Sequence, residues 1–485
     1  MLNVKFASGG YAPVLAWGGT GIVVVAFAIV LTWLSRQFGY DADVFDMPVV
    51  TLVILLCVAG AAFCAAVPAL VAKSSQLPPS KIRIVVAIVL IFGLAARLTL
   101  LASEPALEDD YQRYLWDGAL TAHGISPYGV VPADVLAGRA SASITQLSRS
   151  AGPVLERINH PDVSTIYPPV AQAAFALAHV IRPFSLNAWR ALLIVCDIAT
   201  FFLLLAGLDR LSRSRLWVAL YWWNPVVLKE LFNSSHLEPL IFPCLLGALL
   251  LSHSRRPAWA VSALGVATGV KLWPVLLLPL IIRPLLAQPR QLVLSLTIFG
   301  ALLVLAIAPM VAGGLDDHAG LVAYTSSWRV NAPVFGLLDT AVQSAAQFLD
   351  FTNEVVVARL SRLLAAGCVL TIALMLSWRA AGSFDDLVRR ALSAVLALIV
   401  FAPAVYPWYT LWLVPLVVLR PEPGLIAVTA TIPLFYLYFH FAARESLDVF
   451  RNVIVWLIWL PPLAIAFLSA RWPRLAAGSA QQAEV

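Results

Sequence analysis

The sequence predicts an all-α, polytopic helical membrane protein. Three observations predict it. The 485 residues are 61% hydrophobic and only 12% charged. The mean hydropathy is +0.87, and apolar runs of about 20 residues recur along the chain, each long enough to cross a bilayer as a helix. The charges fall mostly between those runs. The net charge of +6 therefore does not suggest nucleic acid as a partner, because the Arg and Lys residues stand where orientation signals belong. Cys57, Cys64, Cys196, Cys244 and Cys368 all lie inside apolar runs, a pattern of packing rather than of disulfides or metal ligands.

The first apolar runs lie near 13–34, 48–72 and 82–102. The first run is too long for a signal-peptide core and is read as a retained helix. The connector 35–47 carries Asp41, Asp43 and Asp46 against Arg36, whereas 73–83 carries Lys73, Lys81 and Arg83. The positive-inside rule puts the first connector outside and the second in the cytoplasm. Residues 103–187 then form a long extracytoplasmic loop. Residues 167–181 are short and apolar, and are expected to lie in the interface or to re-enter. With that one assumption, Arg210, Arg213 and Arg215, the pairs Arg255/Arg256 and Arg283/Arg290, the cluster Arg379/Arg389/Arg390, Arg420 and the tail's Arg471 and Arg474 are all cytoplasmic.

Further crossings are expected near 188–208, 216–232, 237–252, 258–270, 272–283, 291–312, 355–378, 390–404, 408–419, 424–440 and 453–470. The total is about 12–14 transmembrane helices. Residues 1–81 read as an N-terminal hairpin, 82–470 as the main transmembrane domain and 471–485 as a cytoplasmic tail. Lys271 interrupts an apolar stretch beside Trp273 and Pro274. A cation there is costly in lipid unless it faces a cavity or an interface. Arg97, near the outer end of its run, is expected to snorkel. Asp197, inside a run, is either functional or bonded to a neighbouring helix.

The polar residues collect on the outer side. Glu108, Asp109 and Asp110 stand in a row, and a helix starting after Pro105 puts Asp110, Arg113, Tyr114 and Asp117 on one face. Acids also suit a first helical turn for the macrodipole alone, and Glu108 fits that role. His160, Asp162 and Tyr167 follow in the same loop. Asn224, Lys229, Asn233, His236 and Glu238 come later, as do Asp316, Asp317, His318, Trp328 and Arg329. Tyr406, Trp408 and Tyr409 fit an interfacial aromatic belt. His236 and Glu238, two residues apart, do not form a metal-binding pair on one helix face, and neither a metal nor a cofactor is expected.

Ordered segments carry a resemblance. After Asp109-Asp110 come RYLWDG (113–118), GISPY (124–128), TIYPP (165–169), WNP (223–225), SHLEP (235–239), GVKLWPVLLLP (269–279) and YPWY (406–409). This order resembles the GT-C superfamily of polyprenyl-phosphate-sugar-dependent glycosyltransferases, in particular its bacterial mannosyltransferase-like branch, over roughly 82–470. SHLEP departs from the Gly-His-Asn-Asp type of sequence common in that branch. The resemblance implies a first-loop aspartate as catalytic base and interfacial helices in the loop. It also implies a polyprenyl-phosphate sugar donor, an envelope glycan or glycolipid acceptor, and a site on the periplasmic or outer side of a bacterial inner membrane. On this reading Asp110 is the base and Asp109 the second candidate. Direct displacement by one base inverts the anomeric centre. Arg113, His236 and Lys271 are candidates for the donor phosphate, and Trp116, Tyr128 and Tyr167 for the sugar or acceptor cleft. Tyr114, Asp117, Asn224 and Glu238 complete the substrate-binding set. A transporter or flippase of a lipid-linked sugar is the alternative; it would favour ionisable groups at mid-membrane and repeat symmetry, and no repeat is visible.

Overall fold

The structure is a computed structural model that describes residues 11–482 apart from 315–317, 321, 324–327 and 352; from residue 470 it describes the helix path alone. Asp316, Asp317 and the side chains of Arg471 and Arg474 therefore lie outside the described residues. The protein is helical, with one isolated bridge, Val330 to Ala404, among the described residues.

Eight of the described helices are long and apolar enough to span a bilayer, or nine if Pro225–Asn233 and Glu238–His253 count as one interrupted span. They include Ala12–Ser35, Val49–Lys73, Pro79–Leu100, Leu186–Arg210, Pro289–Ala312 and Glu354–Leu376. Several other expected crossings are shorter helices: Pro257–Val270, Trp273–Ala287 and Pro407–Leu419. Each starts at or beside a proline, whose missing N–H and fixed φ suit a first turn and interrupt a longer helix.

The chain divides into two compact units. The first comprises residues 1–106, 204–233 and 417–485. In it Ala12–Ser35 packs along Pro79–Leu100. Arg97 does not snorkel. It is fully buried, with its guanidinium 3.6 Å above the Trp222 ring and Nη1 donating to the carbonyls of Gly93 and Trp222. The sequence could not show this, because Trp222 lies 125 residues away. Lys229 and Glu230 are also buried, 3.6 Å apart, and the Tyr436 hydroxyl donates to Glu230 at 2.8 Å. Such a pair is tolerated only because its members satisfy one another. Asn224 caps the turn Pro225–Val227 by accepting from the backbone N–H groups of Val226 and Val227, and its amide donates to Thr429.

The second unit comprises residues 107–203 and 234–416. The loop 103–187 folds here into the helices Asp110–Ala122, Pro132–Leu136, Ala142–Ala151 and Pro169–Ile181. Pro169–Ile181 has 13 residues, about 20 Å of helix, and is too short to span a bilayer alone. It packs tightly on Asp110–Ala122: a Cβ on Gly118 would stand 2.4 Å from the Phe175 carbonyl oxygen, so only glycine permits this approach. Tyr114 stacks on Phe175 at 4.7 Å in the same contact. The opposite face of Asp110–Ala122 carries Leu115, Trp116 and Leu120 into a core with Leu147, Leu155 and Ile158. The helix Pro257–Val270 ends at Lys271, whose extended backbone (φ −143°) breaks the apolar run where the sequence places the interruption.

Candidate active site

The helix Asp110–Ala122 begins with its acids. Asp109 is the N-cap and Asp110 the first helical residue, where the positive end of the macrodipole favours a carboxylate. The two side chains diverge. Asp110 lines a cleft of about 200 Å³, bordered by Arg113, Asn159, Tyr167, Lys271, Trp273 and Trp412, among others, whereas Asp109 does not line it.

Both oxygens of Asp110 have partners. Asn159 Nδ2 donates to Oδ1 at 2.9 Å, and to Asp109 Oδ1 at 2.6 Å. The Tyr167 hydroxyl donates to Oδ2 at 3.3 Å. Burial, with Asp110 nearby, holds the Tyr167 phenol well above its usual pKa, so it stays a proton donor. Burial, then the charges of Asp110 and Glu108, push the Asp109 carboxyl up to about 7, against the opposing bond from Asn159.

Arg113 reaches the cleft wall, but its guanidinium is committed to backbone. Nη1 donates to Val163 O at 3.0 Å, and Nη2 to Asn159 O at 3.2 Å and His160 O at 2.9 Å. It therefore fixes the segment that carries Asn159. Asp117 is buried behind it and accepts from Gln172 at 3.3 Å; burial raises its pKa, opposed by Arg113 and by bonds from Thr165 and Gln172. Tyr114 is buried beneath Tyr167, with ring centroids 5.1 Å apart.

Lys271 lines the cleft, ion-paired to the buried Glu238. Trp412 Nε1 also donates to Glu238, at 3.4 Å. The Lys271 ammonium lies 5.4 Å from the Tyr409 ring and 5.6 Å from that of Trp412. Trp408, Tyr409, Trp412 and Trp273 make an aromatic wall. Tyr409 and Trp412 stack at 4.5 Å, and Trp412 and Trp273 at 5.0 Å. Trp408 and Tyr409 are thus buried cleft residues and not an interfacial belt. Alternation and composition cannot tell those two settings apart; the packing partner decides.

Of the expected substrate contacts only Arg113, Tyr167 and Lys271 line the cleft; Tyr114, Asp117 and Glu238 stand behind it as described, and Trp116, Tyr128, Asn224 and His236 also lie outside its lining. Trp116 is in the loop's apolar core. Tyr128 is buried and donates to the Tyr167 carbonyl at 3.0 Å, a bond that supports the cleft from behind. Asn224 is the helix cap described above. His236, expected at the donor phosphate, is fully buried beside two carboxylates, with Nε2 3.6 Å from Glu108 and Nδ1 3.8 Å from Asp110. Anions already surround it, which is a poor setting for a phosphate. Asn159 was not legible as a site residue, being a neutral amide in a loop without a motif.

Fold and cleft together define a polytopic helical membrane protein with an acid-bearing, aromatic-walled cleft. Among proteins of known activity, the chain is similar to the alpha-(1->6)-mannopyranosyltransferase A of Mycobacterium tuberculosis (strain ATCC 25618 / H37Rv), with 27% identity over a 348-residue alignment. That alignment covers 66% of this chain and 63% of the relative, so the chain spans less than two thirds of the relative's length. The relative's name is that of a mannosyltransferase, the kind of enzyme the motifs resemble. No family model and no solved structure matches the chain.

Proposed function

We propose that this protein is an integral-membrane, inverting glycosyltransferase. It moves a hexose, in the first instance mannose, from a polyprenyl-phosphate sugar to an envelope glycan or glycolipid acceptor on the extracytoplasmic side. The observation that carries this reading is the Asp110 carboxylate: it faces the cleft and is held from both oxygens by Asn159 and Tyr167. The similarity to a mannosyltransferase supports the choice of sugar.

The chemistry needs little more than this set. Asp110 takes the proton from an acceptor hydroxyl. The hydroxyl oxygen attacks the anomeric carbon as the bond from that carbon to the phosphate oxygen breaks. Polyprenyl phosphate leaves with the electron pair. Lys271 faces the negative charge that grows on the leaving phosphate, and Glu238 holds the ammonium in place. The aromatic wall offers apolar ring faces to the sugar and to the first isoprene units. One base on one side of the reacting carbon gives inversion.

The test is incubation of the purified protein with a panel of polyprenyl-phosphate sugars and measurement of polyprenyl phosphate release. Release from polyprenyl-phosphomannose in the presence of an acceptor glycan is the expected result. Transport of the intact donor across vesicles without release would replace this reading with that of a flippase.

A further inference from the structure

We propose that His236 is a positioning residue for the base: its imidazole aligns the Asp110 carboxylate and does not bind the donor phosphate. The proposal rests on the glycosyltransferase reading above. His236 lies in the break 234–237, directly before Glu238 opens the next helical turn. Its Nδ1 faces Oδ2 of Asp110 at 3.8 Å, and its Nε2 faces Oε2 of Glu108 at 3.6 Å. Its ring stacks on Trp408 with centroids 3.9 Å apart and planes 22° apart, so it cannot swing toward the cleft without losing that contact.

The backbone beneath it is clamped. Ser235, the preceding residue, has φ of +70°, a left-handed conformation that costs a non-glycine residue energy and persists only when its surroundings impose it. Two large buried side chains impose it here. Trp189 Nε1 donates to the Ser235 carbonyl at 2.8 Å, and Arg190 Nε donates to the Ser235 hydroxyl at 2.8 Å. Ser235 and the Trp408 stack thus fix the imidazole from the backbone side and from the ring face. Oδ2 of Asp110 then lies between Tyr167 and His236, while Oδ1 is held by Asn159. A carboxylate bonded at both oxygens and faced by the imidazole at 3.8 Å has little freedom to turn, and a displacement of about 1 Å at a reacting group costs on the order of 10²-fold in rate.

The experiment uses the full-length protein in detergent, with polyprenyl-phosphomannose as the donor. Turnover and donor KM are measured for wild type, His236→Ala, His236→Asn and His236→Gln. An Asn amide reaches the place of Nδ1, and a Gln amide that of Nε2. We expect His236→Ala to lose roughly 10²-fold in kcat with an unchanged donor KM. His236→Asn should recover at least ten-fold of that loss (about 10-fold in rate), and His236→Gln much less. A raised donor KM with kcat preserved would return His236 to the donor phosphate and overturn the proposal. So would equal losses in all three variants, which mark a purely structural role. Absence of release by the wild-type protein would overturn the functional reading itself, and a melting-temperature cycle of His236→Ala with Asp110→Asn separates the two failures. Non-additive shifts in that cycle support the contact without turnover, and additive shifts refute it.

Discussion

The Tyr167 hydroxyl donates to Oδ2 of Asp110 at 3.3 Å, and its own backbone carbonyl is held by Tyr128. One residue of the TIYPP segment thereby ties the start of the helix Pro169–Ile181 to the acid at the start of Asp110–Ala122. Removing the hydroxyl should loosen the base without unmaking the cleft. A hydrogen bond to a charged group contributes about 1.5–3 kcal/mol, so Tyr167→Phe should lower kcat by roughly 10- to 100-fold at an unchanged donor KM. Steady-state kinetics on matched preparations check this; an unchanged kcat would detach Tyr167 from the base.

The raised pKa of Asp109 predicts a pH dependence of stability. A carboxyl that titrates near 3.8 when unfolded and near 7 when folded binds more protons in the native state between those values. Native stability therefore falls as pH rises through that window, and the cost stays constant above about 7. Asp109→Asn lacks the titration. Its melting temperature should gain on wild type from pH 4 to 7 and run parallel to it above pH 8. Parallel curves over the whole range would refute the shift.

Lys271 cannot be removed in isolation. Glu238 is fully buried, so Lys271→Met leaves an unpaired buried carboxylate, and breaking such a pair costs about 3–5 kcal/mol. The single variant should melt well below wild type, and Lys271→Met with Glu238→Gln should recover most of that loss. Donor affinity is then measured on the double variant. Weakened donor binding there supports a phosphate contact by Lys271, and wild-type affinity would remove it.

The sidedness that the Arg bias predicts can be measured directly. Gln146 is exposed on the loop helix Ala142–Ala151, and Arg210 is exposed at the end of Leu186–Arg210. In a cysteine-free background, a cysteine at 146 should react with an impermeant thiol reagent in intact cells, and one at 210 should be protected. Labelling at 210 alone would invert the topology and place the cleft's chemistry on the other side.

Much of this site is legible in the sequence because its signals are local. The helical period puts Asp110, Arg113, Tyr114 and Asp117 together, and a lysine followed by Trp273-Pro274 marks the break at Lys271. The partners are less legible because they depend on distant packing. Arg113 serves backbone carbonyls some 50 residues away, Arg97 is buried against Trp222, and Trp116 turns into the loop core while its neighbour Asp117 turns toward Gln172. The aromatic wall is of the same kind: YPWY suits a membrane interface as well as a cleft until His236 is seen stacked on Trp408 and Trp412 on Tyr409.

Whether Asp110 is the base is decided by turnover and donor binding of Asp110→Asn beside wild type, with Asp109→Asn as the matched control. Asparagine keeps the size and one of the two acceptor oxygens but cannot take a proton, and loss of a general base costs about 10²–10⁴-fold. Asp110→Asn should lose turnover by that factor while donor binding survives, and Asp109→Asn should remain active. Near wild-type turnover by Asp110→Asn would contradict Asp110 as the base.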